Sequence, residues 1–265
     1  MVRKSPTVAL LTDFGVRDHY VGVMKGVLLS ICPDLRIIDL SHEVAAHCVK
    51  EAAYLLWASY RYLPKGTIVL VVVDPGVGTA RRILVTKTND HCFISPDNGV
   101  LDILLWQDQP RQVFALDPQS RFLKSIIFDK LSATFHGRDI FAPVAAHIAR
   151  GMPVQRIGKE CRRKNVGAPF VTGANCGVDP AVLHIDRFGN IITNILQPDS
   201  KARFVKGIVL GRKRVERWIE AYEQAPPLTP CLIVGSSGLI EIVANMKSAA
   251  SLLHTSTESV LTLIV

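Results

Sequence analysis

The sequence predicts an α/β protein: an N-terminal, mostly parallel α/β sheet domain followed by a smaller C-terminal β domain or barrel. Three observations predict it. As far as Gly151, short apolar runs alternate with stretches whose apolar residues recur every three or four positions; these are the periods of buried strands and of helices packed on them. Two of the strand-like runs stop abruptly at an acid, Asp13 and Asp74. From Gly177 onward the helical period gives way to short β-rich pieces broken by Asp186-Arg187-Phe188-Gly189-Asn190, Ala225-Pro226-Pro227 and Gly235-Ser236-Ser237-Gly238, the spacing of a small, mostly antiparallel domain.

Taken in order, Thr7 to Leu11 is a buried strand that runs into Thr12-Asp13-Phe14-Gly15. Tyr20, Val23, Met24, Val27, Leu28 and Ile31 then mark a helix closed by Pro33, with Gly22 and Gly26 expected to pack closely on the sheet. Leu35 to Leu40 reads as a second strand, and Glu51 to Leu63 as a second helix ended by Pro64 and Gly66. Thr67 to Val73 is the solid β-branched run of a strand buried on both faces, and it ends in Asp74-Pro75-Gly76-Val77-Gly78. Strand, helix, strand, helix, strand in this order implies right-handed crossovers and parallel pairing. Ile83 to Thr86 and Cys92 to Ile94 suit further strands, with Ser95-Pro96-Asp97-Asn98-Gly99 as a turn. Phe135-His136-Gly137-Arg138-Asp139 precedes an apolar helix ending near Gly151, with Asp139 as a candidate N-cap. Lys159 to Ala174 is polar and aperiodic and reads as the linker, which gives domains at 1–165 and 175–265.

Composition narrows the function classes. A chain of 265 residues that is 48% hydrophobic, with mean hydropathy +0.25, can bury a large core without a metal or disulfide staple. Its six cysteines are scattered with no CxxC pair, as expected for reduced thiols of a cytoplasmic protein. Asp13 interrupts the first apolar stretch, and no run is long enough to cross a bilayer, so neither a signal peptide nor a membrane partner is expected. The net charge of +8 allows a nucleic-acid partner. The densest basic run, Arg212 to Arg217, has little aromatic interleaving, which favours a solvated basic surface and no nucleic acid.

In open α/β sheets, ligands bind outside the carboxyl ends of the strands, and both Asp13 and Asp74 stand at such ends. Arg81 can fold back over the loop that begins at Asp74, whereas Arg82 should point elsewhere. A guanidinium beside a carboxylate stabilises anions and can lower the pKa of bound water. With His136, which lies in a glycine-containing loop before a helix, Asp74 and Arg81 could hold and polarise one water. Each residue alone also has a plainer reading as a turn cap, a surface charge or a structural histidine. The Asp74 loop lacks the lysine and spacing of a P-loop, and Pro75 removes a backbone donor. A metal site from Asp13, Asp74, His136 and Asp139 is the rival chemistry, without an HxH, HxxxH or DxD cluster to anchor it. There is no GxSxG elbow for a serine nucleophile.

Thr12-Asp13-Phe14-Gly15, Tyr20-Val21-Gly22-Val23-Met24-Lys25-Gly26, Asp74-Pro75-Gly76-Val77-Gly78-Thr79, Ser95-Pro96-Asp97-Asn98-Gly99, Phe135-His136-Gly137-Arg138-Asp139 and Phe188-Gly189-Asn190 together resemble one family. It is the S-adenosyl-L-methionine (SAM) hydroxide adenosyltransferases, or SAM hydrolases, which are related to the SAM-dependent fluorinase and chlorinase. The resemblance implies an N-terminal α/β domain, a C-terminal β-barrel domain, and a homotrimer with active sites between the N-domain of one subunit and the C-domain of its neighbour. It implies hydrolysis of SAM to adenosine and L-methionine with no cofactor and no metal, SAM being the substrate.

On this resemblance Asp74, Arg81 and His136 form the water-handling triad, and Asp13 holds the ribose diol. Asn190 reads the adenine edge beside Phe188, Asp186 contacts the methionine ammonium, and Ser236 and Ser237, with Glu241, bind at the methionine end. Gly235 departs from the family's frequent Asn, and the halogenases carry an Arg at the Ser237 position. Those halogenases also lack the Asp74 and His136 equivalents, and the fluorinase has a halide-binding serine where Gly137 stands. A halide beside an ionised Asp74 would be repelled. A non-catalytic SAM- or adenosine-binding protein would carry the same contact residues and is separated from an enzyme by turnover.

Overall fold

The structure, a computed structural model, describes residues 5–117, 119–128, 131–162, 167–173, 176–197 and 204–265. The chain forms two compact units, residues 1–166 and 167–265.

In the first unit β1 (Thr7–Thr12) leads to α1 (Tyr20–Ile31), β2 (Arg36–Ser41) to α2 (Val49–Ser59), and a 3-10 turn, Tyr60–Tyr62, to β3 (Ile68–Val72). Then follow β4 (Ile83–Lys87), β5 (Cys92–Pro96), α3 (Asp102–Gln107), β6 (Gln112–Leu116) and α4 (Arg121–Ile126). A π-helical turn, Gly137–Phe141, opens into α5 (Ala142–Ala149), and β7 (Gly158–Glu160) closes the unit. The seven strands lie in the order β2-β1-β3-β5-β4-β6-β7. β2, β1, β3 and β5 are parallel, β4 is antiparallel to both β5 and β6, and β7 is antiparallel to β6. β6 therefore shares the direction of the parallel set, and only β4 and β7 oppose it.

Both faces of the central strands are covered. Val8, Leu10, Ile68, Leu70 and Val72 share one core with Met24 and Leu28 of α1 and the alanine-rich α5. The alternate residues Ala9, Leu11, Val69 and Val71 point to the other face and are equally inaccessible to solvent. This double burial is why β3 is a continuous apolar run. The glycines of α1 behave differently from expectation. Gly22 and Gly26 are exposed, and a Cβ on either would meet nothing within 4 Å, because the helix buries the opposite side through Met24 and Leu28. The supposed linker also contributes structure: Lys159 and Glu160 form part of β7, which borders the sheet and is therefore polar.

In the second unit β8 (Val182–Ile185), β9 (Ile191–Leu196), β10 (Gly207–Leu210), β11 (Lys213–Val215), β12 (Cys231–Val234) and β13 (Leu239–Val243) are followed by α6 (Ala249–Leu253) and β14 (Leu261–Ile264). They make two antiparallel sheets, β11-β10-β14 and β12-β13-β9-β8. Single bridges join the two sheets along both margins, Trp218 with Leu232 and Ala181 with Val260, so the strands close into a small barrel. Ile191, Ile195, Ile208, Leu232, Ile240 and Ile242 fill it. The six cysteine thiols are unpaired. Among the described residues, no helix is long and apolar enough to cross a membrane.

Candidate active site

β1 and β3 are neighbours, with Thr12 opposite Val72, so Asp13 and Asp74 leave the same edge of the sheet. β2 lies on one side of β1 and β3 on the other. The crevice above β1 and β3 is thus the topological switch point, where open α/β sheets bind ligands.

At this edge Asp74, Arg81 and His136 form one hydrogen-bonded cluster. Arg81 Nε donates to both Asp74 oxygens, at 2.9 and 2.8 Å, and Nη2 adds a further bond to Oδ2. The same Nη2 lies 2.9 Å from Nδ1 of His136. A guanidinium has no acceptor, so Nδ1 must accept. In the neutral ring the proton then sits on Nε2, which is left as a donor. Burial and the adjacent Arg81 charge together hold His136 below the ordinary imidazole value, against the opposing pull of Asp74 and Asp139. The carboxylate and guanidinium are nearly enclosed, at 5% and 12% side-chain exposure, which strengthens their interaction relative to a surface pair.

The loop that presents Asp74 is a succession of tight turns, with Val77 N–H donating to Asp74 O and Thr79 N–H to Gly76 O. β5 runs on through Ser95 and Pro96, where the sequence predicts the turn, and Asn98, just beyond it, donates to Val73 O at 2.9 Å and fixes the exit of β3. Arg82 turns away and pairs with Asp97. Gly78 has a φ of 79°, and a Cβ there would collide with the carbonyl of Ala133. It is the point where the Asp74 loop rests on the segment leading to His136. Gly78→Ala is accordingly expected to cost about 2 kcal/mol or more and to lower turnover by separating Arg81 from His136. Thermal unfolding and steady-state rates check both effects, and unchanged values of each would contradict this account.

His136 stands immediately before the π-helical turn, without a side-chain capping bond; such a turn is a local distortion frequent at functional sites. Asp139 lies inside that turn and does not cap it. Its buried carboxylate accepts the Ser132 N–H at 2.7 Å and pairs with Arg138. Burial pushes this carboxyl up, but Arg138 and the Ser132 N–H outweigh it and keep it below the usual range. Asp139 thus braces the loop in front of His136. Gly137 is also constrained, since a Cβ would lie 3.1 Å from Met24 Sδ and 3.5 Å from the Phe14 ring.

Among the described residues no hydrogen bond joins Asp13 to the cluster. Asp13 Oδ2 accepts the backbone N–H of His47 at 2.8 Å, and His47 takes a left-handed φ of 66° in the turn closed by the Cys48 N–H on Ala45 O. Among the described residues no hydrogen bond engages Asp13 Oδ1.

The second unit carries its own group. Asp186 accepts the N–H groups of Phe188 and Asn190 at 2.9 and 2.8 Å and the Asn190 side-chain amide at 2.9 Å. These bonds wind the β8–β9 turn so that Phe188 projects 77% exposed, while Asn190 is buried. A cleft of about 700 Å³ is lined by Phe188, Asn190, Tyr222, Asn245 and Met246. In the turn between β12 and β13, Ser236 is exposed, and Ser237 Oγ is buried with no hydrogen-bond partner among the described residues. A Cβ at Gly235 would collide with the carboxyl of Glu241. Glu241 therefore fills the space of the missing side chain, and burial and Asp186 push its carboxyl up. Sequence reasoning missed this pairing, the His47 clasp on Asp13 and the place of Met24 beside Gly137.

A doubly covered sheet with a carboxylate, guanidinium and imidazole bonded at its switch point, joined to a barrel with an aromatic cleft, defines the class: a two-domain α/β enzyme. The chain belongs to the SAM hydroxide adenosyltransferase family, whose N-terminal domain matches residues 8–158 and whose C-terminal domain matches residues 180–262. It is similar to the (R)-S-adenosyl-L-methionine hydrolase of Thermus thermophilus, 39% identical over 245 residues, which are 91% of this chain and 93% of that protein. It is less similar to the fluorinase of Nocardia brasiliensis, at 26% identity over 74% of this chain and 73% of that one. An uncharacterized conserved protein from Thermotoga maritima superposes with a TM-score of 0.84 at 32% identity, over 97% of this chain and all of that structure.

Proposed function

We propose that this chain hydrolyses S-adenosyl-L-methionine to adenosine and L-methionine. The observation that carries the reading is the Asp74–Arg81–His136 cluster at the switch point of a chain in this family. Water attacks C5′, a C–O bond forms, and the C5′–S bond breaks with its electron pair going to sulfur. Methionine leaves as a neutral thioether and needs no general acid. The sulfonium charge is consumed as the nucleophile arrives, a change favoured by a dry pocket.

The hydrogen bonding divides the labour. His136, neutral and with Nδ1 occupied by Arg81, orients the water through Nε2–H. The Asp74 carboxylate takes the water proton, and Arg81 stabilises the hydroxide character that develops. Asp13 holds the ribose hydroxyls, Phe188 and Asn190 take the adenine, and Asp186, Ser236, Ser237 and Glu241 serve the methionine end. No cofactor or metal enters the reaction. On the same reading the chain works as a homotrimer in the cytoplasm, which light scattering coupled to gel filtration would test for the trimer.

Halide transfer is disfavoured because the Asp74 carboxylate already engages the Arg81 guanidinium that a halide would need, and by the crowding of Gly137 against Met24 and Phe14. Chromatography of reactions with each sulfonium epimer of SAM, with and without chloride or fluoride, tests the proposal. Equal amounts of adenosine and methionine are expected, with the (R) epimer cleaved, as the names of the curated relatives imply, and no 5′-halogenated nucleoside. No adenosine above background at high enzyme concentration would refute hydrolysis.

The state of His136 sets a pH dependence. Its pKa is depressed below 6.5, so the neutral ring is the main form above that value and is lost as the pH falls through the lower, folded-state pKa. The protonated ring has no lone pair for Arg81 and adds a second cation beside it. kcat is therefore expected to hold through neutrality and to fall along an acid limb centred below pH 6.5. An acid limb centred above that value would contradict the assignment.

A further inference from the structure

The segment that carries Asp13 is held from behind by a side-chain chain that takes no part in the water chemistry. Lys25 of α1 pairs with Asp39 of β2 at 2.6 Å. His42 Nε2 lies 3.0 Å from the other Asp39 oxygen, and His42 Nδ1 lies 2.8 Å from Thr12 Oγ1. Thr12 Oγ1 in turn accepts the Phe14 N–H at 3.4 Å. The backbone of His42 completes the grip, because its carbonyl accepts the Gly15 N–H at 2.7 Å. Thr12 is fully buried and the His42 ring is 4% exposed, so neither can reach a ligand directly.

The charges along this chain favour one direction. Burial pushes the Asp39 carboxyl up, but Lys25 and His42 outweigh it and hold it below the usual range, so it is ionised. The Asp39 carboxylate lies 3.0 Å from Nε2, out of line for a hydrogen bond, but its charge favours the neutral ring with the proton on that side, and Nδ1 then accepts from the Thr12 hydroxyl. That leaves the Thr12 oxygen free to accept from Phe14. One residue of the β2–α2 loop therefore grips the chain on both sides of Asp13, at Thr12 and at Gly15, while His47 of the same loop binds the Asp13 carboxylate itself.

We infer that His42 is a positioning residue for Asp13, aiming its carboxylate at the hydroxyl pair of the nucleoside through Thr12 and Gly15. The inference rests on the reading of Asp13 as the ribose-binding acid. A residue that only supports the fold would, when lost, reduce activity on every substrate alike. A residue that aims Asp13 controls how strongly the enzyme prefers a substrate that has both hydroxyls.

The test uses the whole protein, with SAM and its 2′-deoxy analogue as probes, and compares wild type with His42→Asn, Thr12→Val and Asp13→Ala. Asn retains a polar group near Nδ1 but loses the contact with Asp39, and Val keeps the shape of Thr12 without its hydroxyl. His42→Asn is expected to raise KM for SAM by about tenfold, with kcat within about threefold, the signature of weakened ground-state binding. It should also shrink the preference for SAM over the 2′-deoxy analogue, and Thr12→Val should shift both in the same direction. If Asp13→Ala abolishes the preference while the His42 and Thr12 variants keep it at the wild-type value, the positioning role is overturned and the reading of Asp13 survives. If Asp13→Ala itself leaves the preference unchanged, the ribose reading fails and takes this inference with it. Thr12→Val decides the matter should the His42 variant not fold.

Discussion

Asp74→Asn is expected to reduce hydrolysis by about a thousandfold or more, within the range by which a positioned general base accelerates proton transfer. The amide keeps the shape of the carboxylate and an oxygen for Arg81, so the loop and the β3 exit should stay in place. What is lost is the negative charge that accepts the water proton. Because Arg81 spans both Asp74 oxygens in a nearly enclosed site, the variant should also lose about 1–3 kcal/mol of stability. The two effects separate in single-turnover rates measured well below the unfolding temperature. A variant that is folded and binds SAM but retains more than about a tenth of the wild-type rate would remove Asp74 from the chemistry.

The second large effect is expected at Arg81, the only member of the cluster bonded to both others. Arg81→Lys keeps the charge but cannot reproduce a planar fork that reaches Asp74 and His136 together. A fall of about 100-fold or more in kcat is expected, as for removal of a single preorganised donor. The charge-free Arg81→Gln should fall further and carry a second signature. Arg81 is among the causes that depress His136, and Asp74 and Asp139 oppose it. Its removal should therefore move the imidazole titration upward, measurable from the His136 ring protons by NMR. Wild-type turnover in Arg81→Lys, or an unmoved titration in Arg81→Gln, would show that the bond to Nδ1 has no functional consequence.

Much of this site was legible because its signals are local. β1 and β3 are apolar runs ended by acids, and parallel strands at a switch point bring such ends together. The opposite headings of Arg81 and Arg82 follow from their adjacency in the extended segment just before β4. Other features depend on residues far apart in sequence. The vacancy at Gly235 makes sense only once β12 and β13 pair and bring Glu241 against it. The bond from the His47 N–H reaches a carboxylate 34 positions earlier, and nothing in the neighbourhood of His47 predicts that partner. Gly22 and Gly26 misled for the same reason, since their spacing fits a packing face but the partner of α1 lies on the side of Met24 and Leu28. Asp139 occupied a plausible capping position, yet the helix begins earlier, in a π turn whose register no propensity rule anticipates.

The central claim is that a water held by Asp74, Arg81 and His136 attacks C5′ of SAM. Turnover in oxygen-18 water followed by mass spectrometry of the nucleoside tests it most directly. The account predicts that each adenosine formed carries one solvent oxygen at its 5′ position, in step with methionine release and lost together with activity in Asp74→Asn. Methionine release without labelled adenosine, or a nucleoside whose 5′ carbon bears any other atom, would contradict it.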